Sequence, residues 1–333
     1  MLHTCLKDKR FIPVLILSLC LLTPAISFAK VIKRNTVLMG TDIELTASDT
    51  DETRVNTAFD AAIHEMDRIE NEMSEWREGT PISIVNQEAG KETVSVPQEL
   101  LNVISAAQKI SELSDGAFDI SWASMRGIWI FAKGKERIPT SEELKEKLPL
   151  VNYKYIEIDE VKKTVFLKKP GMAIGLGAIA KGYAVDRAMQ VLVNSGIKNA
   201  IVKAGGDMRV QGTDDGKPWE IGIKHPRNKD KLLASLPLSN ISISTSGDYE
   251  RFFIKDGVLY HHIMNPRTGY PAKDCQSVTI LAPDTMTSDA LSTAVFVLGP
   301  EKGMKLIKAL PGIQGIIVDS NGEVTYSPGI NNK

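Results

Sequence analysis

Between residues 55 and 73 the apolar positions Val55, Phe59, Ala62, Ile63, Met66, Ile69 and Met73 recur at steps of three and four, the spacing that lines one face of an α-helix. The pattern predicts a long helix ending near Trp76. Leu100, Leu101, Ile104, Ala107 and Ile110 repeat it and predict a second helix over 97–113, stopping before Gly116. Further helices are expected over 179–193, 288–298 and 301–310. Residues 33–46 read instead as strands broken at Met39-Gly40-Thr41, where glycine permits a turn or the close approach of a ligand. Ile and Val alternate around Asp159-Glu160 over 155–167, which predicts a hairpin, and strand-like segments dominate 200–281. A last hairpin turns at Ser320-Asn321-Gly322. Long strand runs without regularly alternating helices predict a mixed α+β fold with antiparallel sheets and packed helices, not a doubly wound parallel sheet. We expect one unit over 30–333, with room for two lobes.

The first 29 residues follow a different pattern. A basic stretch, Lys7 to Arg10, precedes an apolar run over 11–26, and Ser27 and Ala29 supply small residues around Phe28. That is the build of a secretory signal peptide, cleaved after Ala29 to release the chain into the periplasm. The run is shorter than the roughly 20 residues that span a bilayer, so an uncleaved inner-membrane anchor is the lesser alternative. Leu19 before Cys20 argues against lipid attachment. Once Cys5 and Cys20 are removed, Cys275 is the only cysteine, and no internal disulfide can form. The 40 basic and 41 acidic side chains nearly cancel, which gives no overall field for nucleic acid.

Three clusters can carry chemistry. In Thr287-Ser288-Asp289-Ala290-Leu291-Ser292-Thr293, Asp289 and Thr293 stand four apart at the expected start of a helix and share one face. A carboxylate and a hydroxyl so placed suit Mg²⁺, although Asp289 can equally be a first-turn acid favouring the helix dipole. Gly175-Leu176-Gly177-Ala178-Ile179-Ala180-Lys181-Gly182 is a glycine-rich approach to a helix, where free amides can hold phosphate. It lacks the ending of a P-loop, and the strand expected next has no ribose-binding acid, which argues against a nicotinamide-dependent oxidoreductase. Glycines of a tight turn are its plain alternative. In the third cluster, running from His261 to Gly269, a regular strand would put His262 and Met264 on one face. His262 is then a candidate general base, with His261 on the opposite face and its loss expected to be nearly silent.

Taken in order, Met39-Gly40-Thr41, Gly116-Ala117-Phe118-Asp119, the segment from Gly177 to Gly182, Gly205-Gly206-Asp207, Thr245-Ser246-Gly247-Asp248, His262 to Gly269 and Asp289 to Thr293 resemble the signatures of the ApbE family of FAD:protein FMN transferases. The resemblance covers essentially the whole chain after the leader. It implies that FAD lies in a cleft with its pyrophosphate beside Mg²⁺. It further implies Asp289, Thr293 and the Ala178 carbonyl as metal ligands, with Met39, Trp76, Ala117, Phe118, Asp119, Gly175, Lys181 and Met264 lining the FAD site. The implied partner is an acceptor protein with a target Thr or Ser, either a subunit of a redox-driven membrane complex or an exported flavoprotein.

Expelling AMP from FAD demands charge neutralisation, positioning and removal of a proton from the incoming hydroxyl. Lys181 and Mg²⁺ fit the first need, and His262 or a carboxylate such as Asp289 or Asp248 the last. Hydrolysis of FAD to FMN and AMP at the same site, and FAD binding without catalysis, are the competing expectations.

Overall fold

The structure, a computed structural model, describes residues 29–330. The expected leader lies outside the described residues except for Ala29, and with it the fates of Cys5 and Cys20.

The chain begins with a hairpin of β1 (Lys30–Leu38) and β2 (Thr41–Asp49). Its turn holds Met39 and Gly40 at φ of 52° and 67°. Two successive left-handed residues match the right-handed twist of the flanking strands. Next is α1 (Glu52–Met73), capped by Asp51 and buried along Val55, Phe59, Ala62, Met66, Ile69 and Met73. The short α2 (Pro81–Gln87) and β3 (Val94–Ser95) precede α3 (Gln98–Leu113). Another short helix, α4 (Ser141–Lys147), lies before the hairpin of β4 (Ile156–Asp159) and β5 (Thr164–Leu167). Apolar periodicity does not register α2 or α4, because two turns hold too few core positions. Their caps mark them instead: Thr80 before Pro81, and Thr140 in a capping box with Glu143.

From there α5 (Ala180–Asn194) leads into β6 (Ala200–Ala204), β7 (Asp207–Gln211), β8 (Trp219–Lys224), β9 (Leu232–Leu238) and β10 (Ile241–Gly247). A hairpin of β11 (Phe252–Lys255) and β12 (Val258–His261) follows, then β13 (Cys275–Ala282). The last elements are α6 (Thr285–Leu298), α7 (Pro300–Ala309), β14 (Gln314–Asp319) and β15 (Val324–Tyr326).

Eight strands form one sheet in the order β1-β2-β6-β7-β10-β13-β14-β15, with antiparallel neighbours throughout. This is the mixed α+β architecture the strand runs predict. Helices α1, α5, α6 and α7 pack on the sheet and on one another around the main core. A second apolar cluster joins Trp219, Ile221, Ile223 and Leu236 of the β8–β9 ribbon to Ile243, Leu281 and Ile316 of the sheet. Covered on both faces, β13 is buried along its whole length, which is why its sequence does not alternate cleanly.

Tertiary structure moves one boundary that matters. The helix expected from residue 288 begins at Thr285, and Asp284 caps it by accepting the Thr287 amide. Asp289 therefore lies in the second turn and is not its own helix's capping acid. Helix α6 is seated on β10 by three hydroxyl pairs, Ser242 with Thr285, Ser244 with Ser288 and Ser246 with Ser292, each at 2.8 Å. Alternate strand positions meet successive helical turns, so a buried polar seam leaves each of these hydroxyls satisfied.

Several chain reversals meet at one end of the sheet. The Gly205 amide donates to the Asp42 carbonyl at 2.9 Å, and the Thr245 amide donates to the Gly206 carbonyl at 3.0 Å. The β1–β2 turn, the Gly205-Gly206 turn and the end of β10 thus form a common rim.

Candidate active site

At this rim two buried carboxylates share one ammonium. Lys181 Nζ donates to Asp207 Oδ2 at 2.7 Å and stands 3.2 Å from Asp289 Oδ2. Asp207 and Asp289 are each 3% exposed. Lys181 arrives on the first turn of α5, Asp207 on the first residue of β7 and Asp289 on α6. The approach of α5 to α6 needs glycine: a Cβ on Gly182 would fall 2.3 Å from the Thr285 carbonyl oxygen. The Gly206 position is equally closed, since a Cβ there would lie 2.5 Å from the Thr245 carbonyl oxygen.

The two helices cap each other. No side chain of its own segment caps α5, and Asp289 Oδ2 accepts the Gly182 amide at 3.1 Å. In return Asp186 of α5 accepts the Thr285 and Met286 amides at the start of α6, at 2.8 to 2.9 Å. Carboxylates at helix N-termini satisfy amides that have no partner within the helix.

Charge at this point is unbalanced. Burial, followed by the neighbouring Asp207, pushes the Asp289 carboxyl above the usual carboxylate range, against the opposing pull of Lys181. Burial works to lower the Lys181 ammonium, but Asp207 and Asp289 outweigh it and hold Lys181 firmly protonated. Two acids against one ammonium leave a deficit of positive charge that a divalent cation would fill. Thr293 is half-buried one turn beyond Asp289, with its Oγ1 3.3 Å from Ser246 Oγ. Ala178, also half-buried, precedes α5. A carboxylate, a hydroxyl and a carbonyl are hard oxygen donors of the kind Mg²⁺ takes, so these residues fit it. Among the described residues no group of three or more His, Cys, Asp and Glu could hold a metal, so a cation here would draw its remaining ligands from neutral oxygens and from a bound phosphate.

His262 stands beside this cluster but not on a regular strand. β12 ends at His261, and Met264 makes only an isolated bridge to Pro271, so the shared strand face expected for His262 and Met264 is absent. The His262 amide donates to the Arg251 carbonyl at 3.0 Å, and its Nδ1 lies 3.3 Å from the same oxygen. A carbonyl can only accept, so Nδ1 carries the proton and Nε2 keeps a free lone pair. Burial first, then the charges of Arg251, His261 and Lys181, push the imidazole down to about 4. Arg251 also donates to the Gly40 carbonyl at 2.9 Å, tying His262 to the β1–β2 turn.

His261 is a core residue. Its Nε2 donates to the Ala272 carbonyl at 2.7 Å, its Nδ1 accepts the Ile263 amide at 3.2 Å, and its ring meets Phe296 edge-on. Asp248 is held by Arg227 through two hydrogen bonds of 2.6 Å, so neither oxygen is free to take a proton from a substrate. Cys275 is buried and reduced, its thiol pushed up to about 12 by burial and by nearby acids.

The remaining predicted residues are held by contacts of their own. The Met39 amide donates to Glu70 Oε2 at 3.0 Å. The Gly175 amide donates to the Ile120 carbonyl, which places the glycine-rich segment beside the turn of Ala117, Phe118 and Asp119. The side chains of that turn point inward: Phe118 is core, and Asp119 accepts from the Ser121 amide, the Ser121 hydroxyl and the Tyr153 amide. What this turn offers a ligand is therefore backbone. Trp76 is exposed, beyond the end of α1.

Sequence reasoning gave Asp207 no role of its own. The paired glycines Gly205-Gly206 before Asp207 are the one local signal of a turn that presents an acid, but its partner Lys181 lies 26 positions away and no local spacing reveals the pair.

The pattern that defines the ApbE family matches residues 39–317. A FAD:protein FMN transferase of Klebsiella pneumoniae is 31% identical over 300 residues, covering 90% of this chain and 92% of that protein. One from Treponema pallidum is 33% identical over 294 residues, covering 83% and 81%. Among solved structures, the ApbE protein of Thermotoga maritima superposes with a TM-score of 0.83 at 37% identity, covering 90% of this chain and 97% of that one. The flavin transferase ApbE of Vibrio cholerae gives 0.78 at 28%, covering 90% and 98%.

Proposed function

The chain belongs to the ApbE family, and from that premise we propose that it is a flavin transferase that moves the FMN part of FAD onto a Thr or Ser hydroxyl of an acceptor protein, with Mg²⁺ bound and AMP released. The observation that carries the reading is the half-buried Lys181 ammonium held between the buried carboxylates of Asp207 and Asp289, at the end of a glycine-rich segment. A pyrophosphate brings negative charge that must be neutralised as a phosphoryl group transfers.

Asp289, Thr293 and the Ala178 carbonyl would hold Mg²⁺, which offsets charge on the phosphate oxygens when bound. Lys181 donates to those oxygens, kept charged and aimed by Asp207. In the step itself the acceptor hydroxyl oxygen bonds to the FMN-side phosphorus, the bond from that phosphorus to the AMP oxygen breaks, and AMP leaves with the electron pair. His262 Nε2 takes the hydroxyl proton; its free lone pair and low pKa keep it neutral at physiological pH. Asp248 is withdrawn from this role by Arg227. The leader expected over residues 1–29 supports a periplasmic site of action, on exported flavoproteins or on subunits of redox-driven membrane complexes.

Incubation of the chain with FAD, Mg²⁺ and a candidate acceptor, followed by intact-mass measurement, tests the reading. The expected result is one added FMN on the acceptor and one AMP released. FMN and AMP without a mass gain would make it a hydrolase, and bound FAD without AMP a binding protein.

A further inference from the structure

Of the four tryptophans only Trp76 is exposed, at 70%. One face of its indole is backed by Arg126, whose guanidinium carbon lies 4.2 Å from the ring centroid. Arg126 follows the 3-10 turn Ile120–Met125 and reaches back to the Trp76 loop: Nη1 donates to the Glu75 carbonyl at 3.1 Å, and Nη2 stands 3.4 Å from Glu75 Oε1. Arg126 Nε and Nη2 are nonetheless buried without a hydrogen-bond partner. Leaving two guanidinium donors unsatisfied is costly, and the core gains nothing from it. Glu75 ties the arrangement to the glycine-rich segment. Its side chain is 5% exposed, and the nearby Leu176 amide favours its carboxylate. A Cβ on Gly175 would fall 2.8 Å from Glu75 Oε1.

We infer that Arg126 is a positioning residue: it clamps the Trp76 indole as a fixed wall on which an aromatic ring of the flavin nucleotide stacks, with Glu75 locking that wall to the segment that meets the phosphates. The inference rests on the flavin-transferase reading. A planar guanidinium stacks on an indole as a lysine ammonium does not, so the clamp calls for arginine specifically. Ordering Trp76 before the ligand arrives removes an entropic cost from binding while leaving the chemistry at Lys181 and His262 untouched.

The test uses the full chain with FAD, Mg²⁺ and acceptor, and follows quenching of Trp76 emission by FAD against a Trp76→Phe background. Arg126→Met is expected to raise Kd and KM for FAD on the order of three- to tenfold, with kcat within about twofold. Arg126→Lys should recover little of this, and adding Arg126→Met to Trp76→Ala should cost nothing beyond Trp76→Ala alone. If Arg126→Met does not fold because Glu75 is left buried and unpaired, the pair Arg126→Met and Glu75→Gln gives the same reading without the stranded charge. Unchanged Kd and KM, full recovery by Arg126→Lys, or additive effects in the double variant would overturn the clamp. A wild-type chain that binds no FAD would overturn the flavin reading itself, and the clamp with it.

Discussion

The Asp289 carboxylate of α6 accepts the Gly182 amide of α5 at 3.1 Å while standing 3.2 Å from the Lys181 ammonium beside it. One side chain thus caps a neighbouring helix and shapes the electrostatics of the site. Replacing it by alanine would strand the Gly182 amide and leave Lys181 with Asp207 alone, so the informative change is Asp289→Asn, which keeps an acceptor and the volume. Metal-dependent FMN transfer is expected to fall below detection while the melting temperature moves by only a few degrees. Retention of wild-type transfer and Mg²⁺ dependence would reduce Asp289 to a cap.

Gly182→Ala tests the close approach of the helices. Its Cβ would lie 2.3 Å from the Thr285 carbonyl oxygen and 2.9 Å from Asp289 Cβ, and neither can yield without moving α6. Overpacking of this kind costs about 1–3 kcal/mol, and it would also displace Asp289. Urea denaturation should show the loss, and transfer activity should drop alongside it.

His262→Ala is expected to slow transfer by roughly 10²- to 10⁴-fold with FAD still bound, as for loss of a general base. The expectation of a silent His261→Ala does not survive the structure. Both of its ring nitrogens are hydrogen-bonded and its ring packs on Phe296, so this change should destabilise the fold by a few kcal/mol, roughly the scale of a lost buried polar contact. Melting curves and single-turnover rates would separate the two effects. Comparable stability loss in both variants, with no selective rate loss for His262→Ala, would remove His262 from the chemistry.

His262 also makes a pH prediction. Burial and the nearby positive charges push its pKa to about 4, below the value near 6.5 of an unfolded histidine. Its neutral form is favoured in the folded state, so the stability it contributes is complete above about pH 6.5 and is lost as pH falls toward 4. Acidifying from pH 7 to 5 should destabilise the wild type more than His262→Gln. An imidazole signal that titrates near 6.5 in the folded protein would refute the assignment.

The helices α1, α3, α5 and α7, and the hairpin turns at Gly40 and Gly322, were determined by the sequence, because local periodicity and turn residues act over a few positions. The order of its short motifs was equally sufficient to place the chain in its family. Tertiary structure decided that α6 starts at Thr285 and not near Ser288: its buried, hydroxyl-rich face has no clean apolar stripe, and part of its N-terminus is capped by an acid of another helix, Asp186. It decided which histidine is core, because β12 stops one residue short of His262 and strand alternation no longer applies. It also paired Asp207 with Lys181 and Arg126 with Trp76. Those pairings depend on sheet order and helix packing, and ion pairs and ring stacks between distant segments leave no periodic trace in a single sequence.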